Sequence, residues 1–377
     1  MTGGEVPRPD VESPLLSRAR SSPPFLLTGP PGSGKTSLLL SLRDALSREG
    51  FQPVYLDLMA AASSPDRFVR AALDVLPAEP FSKHLPEAMC IRQIADSGRI
   101  HGVEAVRALF SLWGALAHAH GRPVVLLLDE VTEIRSLAYF SGLREVHEML
   151  GAALQARSGG TVLATSFPTR ARRYWPAWST LEARPLEERD VAGLGRSAAG
   201  AVRAGFGWPR YVRVLRDRLR QGDDLLAAWT EEMSTGGRLE TACRQTYESL
   251  LLRSRGYGIS KAVLQAVAHE EGSNLSSLVT RLGRTPGATR DYLQWLVAVD
   301  ALRVVRKRYF YVDGLLRTWV RLHARGWPAT EAEIAAAARA ALEGEERRAV
   351  ASGAPAGSVE VPEPALPARR DSLIEID

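Results

Sequence analysis

The stretch Gly29-Pro30-Pro31-Gly32-Ser33-Gly34-Lys35-Thr36 decides the fold. It matches the phosphate-loop pattern G-x-x-x-x-G-K-[ST] from end to end. Glycines in such a loop let successive backbone N–H groups turn inward on phosphate oxygens with no Cβ in the way. Lys35 is expected to set its charge against the β- and γ-phosphates, and the Thr36 hydroxyl to ligate Mg²⁺. Phe25-Leu26-Leu27 is a short apolar run before the loop, and Leu39, Leu42 and Leu46 follow it at helical spacing. Strand, loop, helix is the order that sets phosphates on a helix N-terminus. Residues 29–37, Ser37 included, are therefore the expected nucleotide cradle.

A second signature lies downstream. Val124 to Glu130 reads VVLLLDE, an apolar strand ending in two carboxylates. Asp129 is expected beside the loop, holding Mg²⁺ directly or through water. Glu130 is then placed to orient or deprotonate an attacking water. Thr165 and Ser166 end the next apolar run, where a polar group can bind that water and the γ-phosphate. Arg170, with Arg172 and Arg173 behind it, is a candidate for reaching a neighbouring subunit's γ-phosphate, against the alternative of a solvated arginine cluster.

The pattern around these motifs predicts a fold. Apolar runs at Phe25–Thr28, Pro53–Leu58, Pro123–Asp129 and Thr161–Thr165 alternate with helical stretches, the signature of a parallel sheet with helices on both faces. The run Val124–Leu128 is apolar without alternation, as a strand buried on both faces should be. An insertion is expected around residues 77–102. After Pro185 the spacing turns helical, predicting a small lid over 186–255. From Gly258 three helices precede two short strands, Leu302–Val305 and Tyr309–Val312, which is the winged-helix order over 256–325. A last helix is expected over 326–350. Residues 1–23 and 351–377 read as disordered, with Ser372 to Asp377 a possible docking peptide for a protein partner. The fold class is thus α/β, a P-loop parallel sheet followed by a helical lid and a winged helix.

With 377 residues, 45% hydrophobic and 24% charged, the chain has the composition of a globular protein of more than one domain. Two cysteines, Cys90 and Cys243, give neither a disulfide framework nor a metal cluster. No signal peptide and no stretch of membrane-spanning length is read, so a cytoplasmic protein with no membrane partner is expected. The net charge of +5 permits nucleic acid without requiring it. That charge is concentrated: residues 253–325 hold 13 Lys and Arg against 5 Asp and Glu. Thr285, Thr289, Arg290 and Gln294 are expected on the outer face of the third helix of this unit, where a groove-reading helix presents side chains. Arg303, Arg306, Lys307 and Arg308 would line the wing, suited to phosphates or a minor groove.

Taken together, GPPGSGKT, VVLLLDE, the strand end LATSF, the arginine cluster, the helical lid and the winged helix resemble the AAA+ ATPases over residues 24–325. The nearest branch is the archaeal and bacterial one related to the signal-transduction ATPases with numerous domains, the origin-recognition ATPases being more distant. The resemblance implies ATP and Mg²⁺ as cofactors and possible homo-oligomers. It implies that Gly207-Trp208-Pro209-Arg210 is the lid motif, with Arg210 touching the γ-phosphate and Pro209 near the adenine. Two readings of function stand at this point. One is an ATPase switch that binds duplex DNA through its winged helix; the other is an ATP-regulated scaffold or signalling switch for a protein partner. A small-molecule P-loop kinase is a third, against which the Asp-Glu pair and winged helix speak.

Overall fold

The computed structural model describes residues 8–20, 23–76 and 102–343. The expected insertion and the C-terminal docking peptide lie outside the described residues. Five parallel strands form the sheet: β1 Phe25–Thr28, β2 Gln52–Asp57, β4 Arg122–Asp129, β5 Thr161–Thr165 and β6 Ser179–Glu182. Their order is β2-β4-β5-β1-β6, with a short β3, His118–Ala119, antiparallel on β4. β1 and β5 are buried along their whole length, and β4 from Val124 to Asp129.

Helices on both faces explain that unbroken burial. Phe25, Leu27, Val125, Leu127, Val162 and Ala164 point to one side, against Leu39, Leu42 and Leu46 of α2, Lys35–Arg48. Leu26, Leu126, Leu128 and Leu163 point to the other. They meet α4, Pro65–Asp74, α5, Gly102–Ala115, and α6, Val146–Gln155, through Phe68, Trp113 and Leu150. A four-residue helix α3, Leu58–Ala61, follows β2. β6 has no apolar run to announce it: it is an edge strand, Ser179-Thr180-Leu181-Glu182, mostly exposed.

The N-terminus corrects an expectation. Within the stretch read as disordered, Pro9–Ala19 is a helix, α1. Proline at its first position lacks only an N–H that would have been orphaned, and Asp10 and Glu12 suit the positive helix end. Val11, Leu15 and Ala19 form a buried stripe in the α2-side core. Three apolar residues spaced by four among Pro, Ser and Arg make too thin a signal to read as a helix.

Beyond β6 the chain is helical: a 3-10 turn Glu188–Leu194, then α8 Arg196–Ala204, α9 Pro209–Arg220, α10 Leu225–Met233 and α11 Arg238–Arg253. The basic unit follows with α12 Tyr257–His269, α13 Leu275–Leu282, α14 Pro286–Ala298 and the hairpin β7 Leu302–Val305 with β8 Arg308–Tyr311. α15, Gly314–His323, and α16, Glu331–Glu343, complete the described chain. One apolar core runs through all of it, from Leu186 through Trp229, Tyr247, Val263 and Leu296 to Ala341. Tyr247 of α11 meets Trp319 of α15 with ring centroids 5.1 Å apart. α16 returns to the first of these helices, burying Ile334, Ala338 and Ala341 in that core.

Candidate functional site

The loop between β1 and α2 takes the shape its glycines allow. Gly32 and Gly34 have φ of 83° and 87°, values that strain any residue with a Cβ. A Cβ on Gly29 would lie 2.7 Å from Ser33 Oγ. No side chain caps the start of α2, which leaves its first N–H groups to a ligand in the loop.

Lys35 is only 4% exposed. Its Nζ donates to the carbonyls of Gly29 (2.9 Å) and Pro30 (3.2 Å), to Ser33 Oγ (3.4 Å) and to Ser166 Oγ (2.9 Å). The nearest carboxylate oxygen, on Glu130, is 3.9 Å away. Burial pushes the Lys35 ammonium down from its ordinary value, while Glu130 and Asp129 oppose the change. A buried cation whose close partners are neutral oxygens is suited to an anionic ligand.

Asp129 ends β4 and accepts from the Thr36 hydroxyl at 2.6 Å and the Tyr55 hydroxyl at 3.2 Å. Its other oxygen accepts from the Glu130 N–H. Glu130 sits in the left-handed region, φ 48°, which aims its side chain across to β5. There the Ser166 N–H donates to it at 2.9 Å and the Ser166 hydroxyl donates to its other oxygen. Ser166 is therefore a relay, accepting from Lys35 and donating to Glu130. Burial pushes the Glu130 carboxyl up, against the pull of Lys35.

Not every expected residue joins this cluster. The Thr165 hydroxyl bonds Thr132 Oγ1 at 3.0 Å and accepts from the Phe167 N–H, so Ser166 alone of the pair faces the loop. Arg170 is half-buried with its guanidinium 5.4 Å from the Phe167 ring. Arg210 donates its backbone N–H to Gly32 O at 3.2 Å, but its guanidinium turns into α11, to Gln245 and Thr246. Pro209 covers Gly34, where an added Cβ would meet its Cγ at 3.6 Å. Thr36 is exposed, Ser37 and Pro31 half-buried, and Pro30 buried.

Arg8 was not anticipated. It is 4% exposed and reaches from the chain before α1 to donate to Ser33 O at 2.8 Å and to Arg184 O. The loop is thus held from the N-terminal segment on one flank and from the lid on another. The signal available in the sequence was an arginine immediately before Pro9, with Glu12 accepting from its N–H.

In the basic unit one expectation is corrected. Thr289 is 1% exposed and its hydroxyl donates to Thr285 O, so it presents nothing outward. Arg290 and Gln294 are exposed on α14, Thr285 caps it, and Arg306, Lys307 and Arg308 are exposed on the hairpin. Arg306 and Lys307 form the two-residue connection, both with positive φ (50° and 62°), as a primed hairpin turn requires. Arg308 is anchored by its bond to Gly272 O at 2.8 Å.

A phosphate-bearing ligand fits this donor set: a cradle a Cβ would fill, an uncapped helix start, a buried ammonium, and a hydroxyl and carboxylate 2.6 Å apart as hard-oxygen ligands. Among the described residues there is no group of three His, Cys, Asp or Glu that could hold a metal ion. Among them no helix is long and apolar enough to cross a membrane.

A family model and a solved structure agree on the fold. Residues 13–163 match the family model of the AAA ATPase domain. A Walker-type ATPase of Pyrococcus abyssi superposes with a TM-score of 0.62 at 16% identity, over 84% of this chain and 96% of that one. The RuvB Holliday junction branch migration motor of Thermotoga maritima (15% identity, 80% and 88% covered) and Cdc6p of Pyrobaculum aerophilum (12%, 92% and 98%) match with a TM-score of 0.33 each. No curated protein matches the chain.

Proposed function

We propose that this molecule, which has the fold of a P-loop NTP-hydrolysing ATPase and matches the AAA ATPase domain model over residues 13–163, hydrolyses ATP in the loop of residues 29–37, and that the cycle changes how a C-terminal winged helix holds duplex DNA. The observation that carries the reading is the relay of Lys35, Ser166 and Glu130 beside the Thr36–Asp129 pair. In it, Lys35 and the N–H groups at the start of α2 bind the phosphates. Thr36 and Asp129 would hold Mg²⁺, which when bound would supply charge neutralisation for the phosphates. Glu130 leaves Ser166 to take a proton from the attacking water, and Ser166 turns to the γ-phosphate. Pro209, packed against Gly34, closes the lid over the loop.

Exposed Arg290, Arg306, Lys307 and Arg308 support the DNA half, since a rigid hairpin tip of cations is suited to phosphates. The same proposal takes in the signal-transduction branch, on the motifs taken together, a cytoplasmic location, and self-assembly in which Arg170 swings off Phe167 to a neighbour's γ-phosphate. The test is ATP turnover by the whole chain with and without duplex DNA, with Glu130→Gln as the blank. DNA stimulation of the wild type alone supports the reading. Arg306→Glu with Arg308→Glu is expected to weaken duplex binding and flatten its salt dependence; unchanged affinity would remove the DNA half.

The second reading, a switch for a protein partner, is favoured by one observation. The basic unit is docked on the ATPase domain through Asp300 and Thr169. Docking of an apolar peptide would depend only weakly on salt, which separates the two.

A further inference from the structure

Asp300 stands where its own backbone would rather have glycine. It follows the last turn of α14 with φ 53°, and its N–H and that of Ala301 bond back to Val297 O and Leu296 O (3.0 Å each). This is a Schellman ending, in which the left-handed position is usually Gly because a Cβ there is strained. An aspartate retained at such a position invites a search for what its carboxylate does. Here it crosses to the ATPase domain. Its two oxygens accept from the Thr169 N–H at 3.1 Å and the Thr169 hydroxyl at 2.6 Å.

Thr169 is the second residue of α7, Pro168–Tyr174, whose own N-cap residue, Phe167, provides no side-chain cap. The missing acceptor is thus supplied by a residue 131 positions later in the chain. Only Phe167 and Pro168 separate Thr169 from Ser166, the relay between Lys35 and Glu130. Both are stiff: Phe167 is 2% exposed within the C-terminal core, with Arg253 stacked 5.6 Å from its ring, and Pro168 has a fixed φ.

We infer that Asp300 is a positioning residue for ATP hydrolysis: by capping α7 from the C-terminal unit it fixes the backbone that places Ser166. This rests on the reading of Ser166 as a γ-phosphate group given above. It means the ATPase site is complete only when the C-terminal unit is docked.

The experiment uses the whole chain and four variants. Asp300→Gly removes the carboxylate while suiting the left-handed backbone, so the protein should stay folded, with its thermal midpoint at or above that of the wild type. Its kcat for ATP is expected to fall about fivefold to tenfold while the dissociation constant for ATP, set by the phosphate loop, stays within about twofold. Thr169→Val removes one of the two bonds and should give a smaller fall in kcat. Combined with Asp300→Gly it should add nothing, since both act through one contact. Ser166→Ala is run beside them. If Ser166→Ala lowers kcat and Asp300→Gly leaves it at the wild-type value, the role of Asp300 is overturned. If Ser166→Ala itself has no effect, the reading of Ser166 is what fails. Additive losses, or equal losses in kcat and ATP affinity, would also overturn the inference.

Discussion

Among single residues, the buried titrating groups give the sharpest expectations. The Asp300 carboxyl is pushed up to about 6, chiefly by burial, against the Thr169 donors and the charges of Arg172 and Arg170. The folded state keeps a proton that the unfolded chain gives up near the ordinary value of 3.8. The group's contribution to stability is therefore fully present below that value and is lost as pH rises through about 6. Asp300→Asn should remove this slope from urea midpoints measured between pH 4 and 7, and an unaltered slope would contradict it. Arg157 is a different case. Its guanidinium is buried and donates to the carbonyls of Trp113 (3.0 Å), Leu116 and Val124 (2.5 Å), and burial pushes it down to about 10. Trp113 and Leu116 lie at the end of α5, so Arg157 caps a helix C-terminus from a distance. Arg157→Met should cost about 2–3 kcal/mol in a denaturant titration, because three buried carbonyls lose a charged donor.

At the scale of elements, what the sequence made legible follows from how each element earns its burial. β1, β4 and β5 lie inside the sheet, and their unbroken apolar runs marked them out. The loop was legible because the geometry of phosphate binding admits few residues at Gly32, Gly34 and Lys35. β6 was not, since an edge strand needs apolar residues on little of its surface. α1 was not either, because its helix is sustained by Val11, Leu15 and Ala19 against the sheet rather than by its own composition. Thr289 misled because it lies on the buried face of α14 with Leu293 and Leu296, and its hydroxyl is satisfied by Thr285 O rather than offered outward. Leu15, 1% exposed, anchors α1 and through it Arg8 at Ser33. Leu15→Ala should lower stability by about 2–4 kcal/mol in thermal or chemical unfolding. At a temperature where the variant is folded it should also weaken ATP binding, since Arg8 would lose its fixed approach to the loop.

At the scale of the whole molecule, the lid and the basic unit were legible as helices in the right order, but not as one body. Apolar spacing shows which face of a helix is buried and not what lies against it, so Tyr247 on Trp319 and the return of α16 could not be read from pattern. A shared core predicts shared unfolding. In native-state hydrogen exchange, the protected amides of α11, α12 and α15 should open together with a single free energy, where two separate domains would give two.

That common core, from Leu186 to Ala341, also governs how force travels. The short connector at Ala183–Leu186 joins it to the sheet, with the Ala183 N–H on Thr28 O and the Leu186 N–H on Gly207 O. A body packed as one solid does not flex at its middle, and it meets the ATPase domain again through Arg253 on Glu133 (3.2 Å) and Asp300 on Thr169. Pro209 and Arg210 lie against Gly34 and Gly32 at one end of it, and Arg306 and Lys307 stand exposed at the hairpin tip. Whatever moves one end of this body must carry the hairpin tip with it, because the packing leaves no soft joint between them.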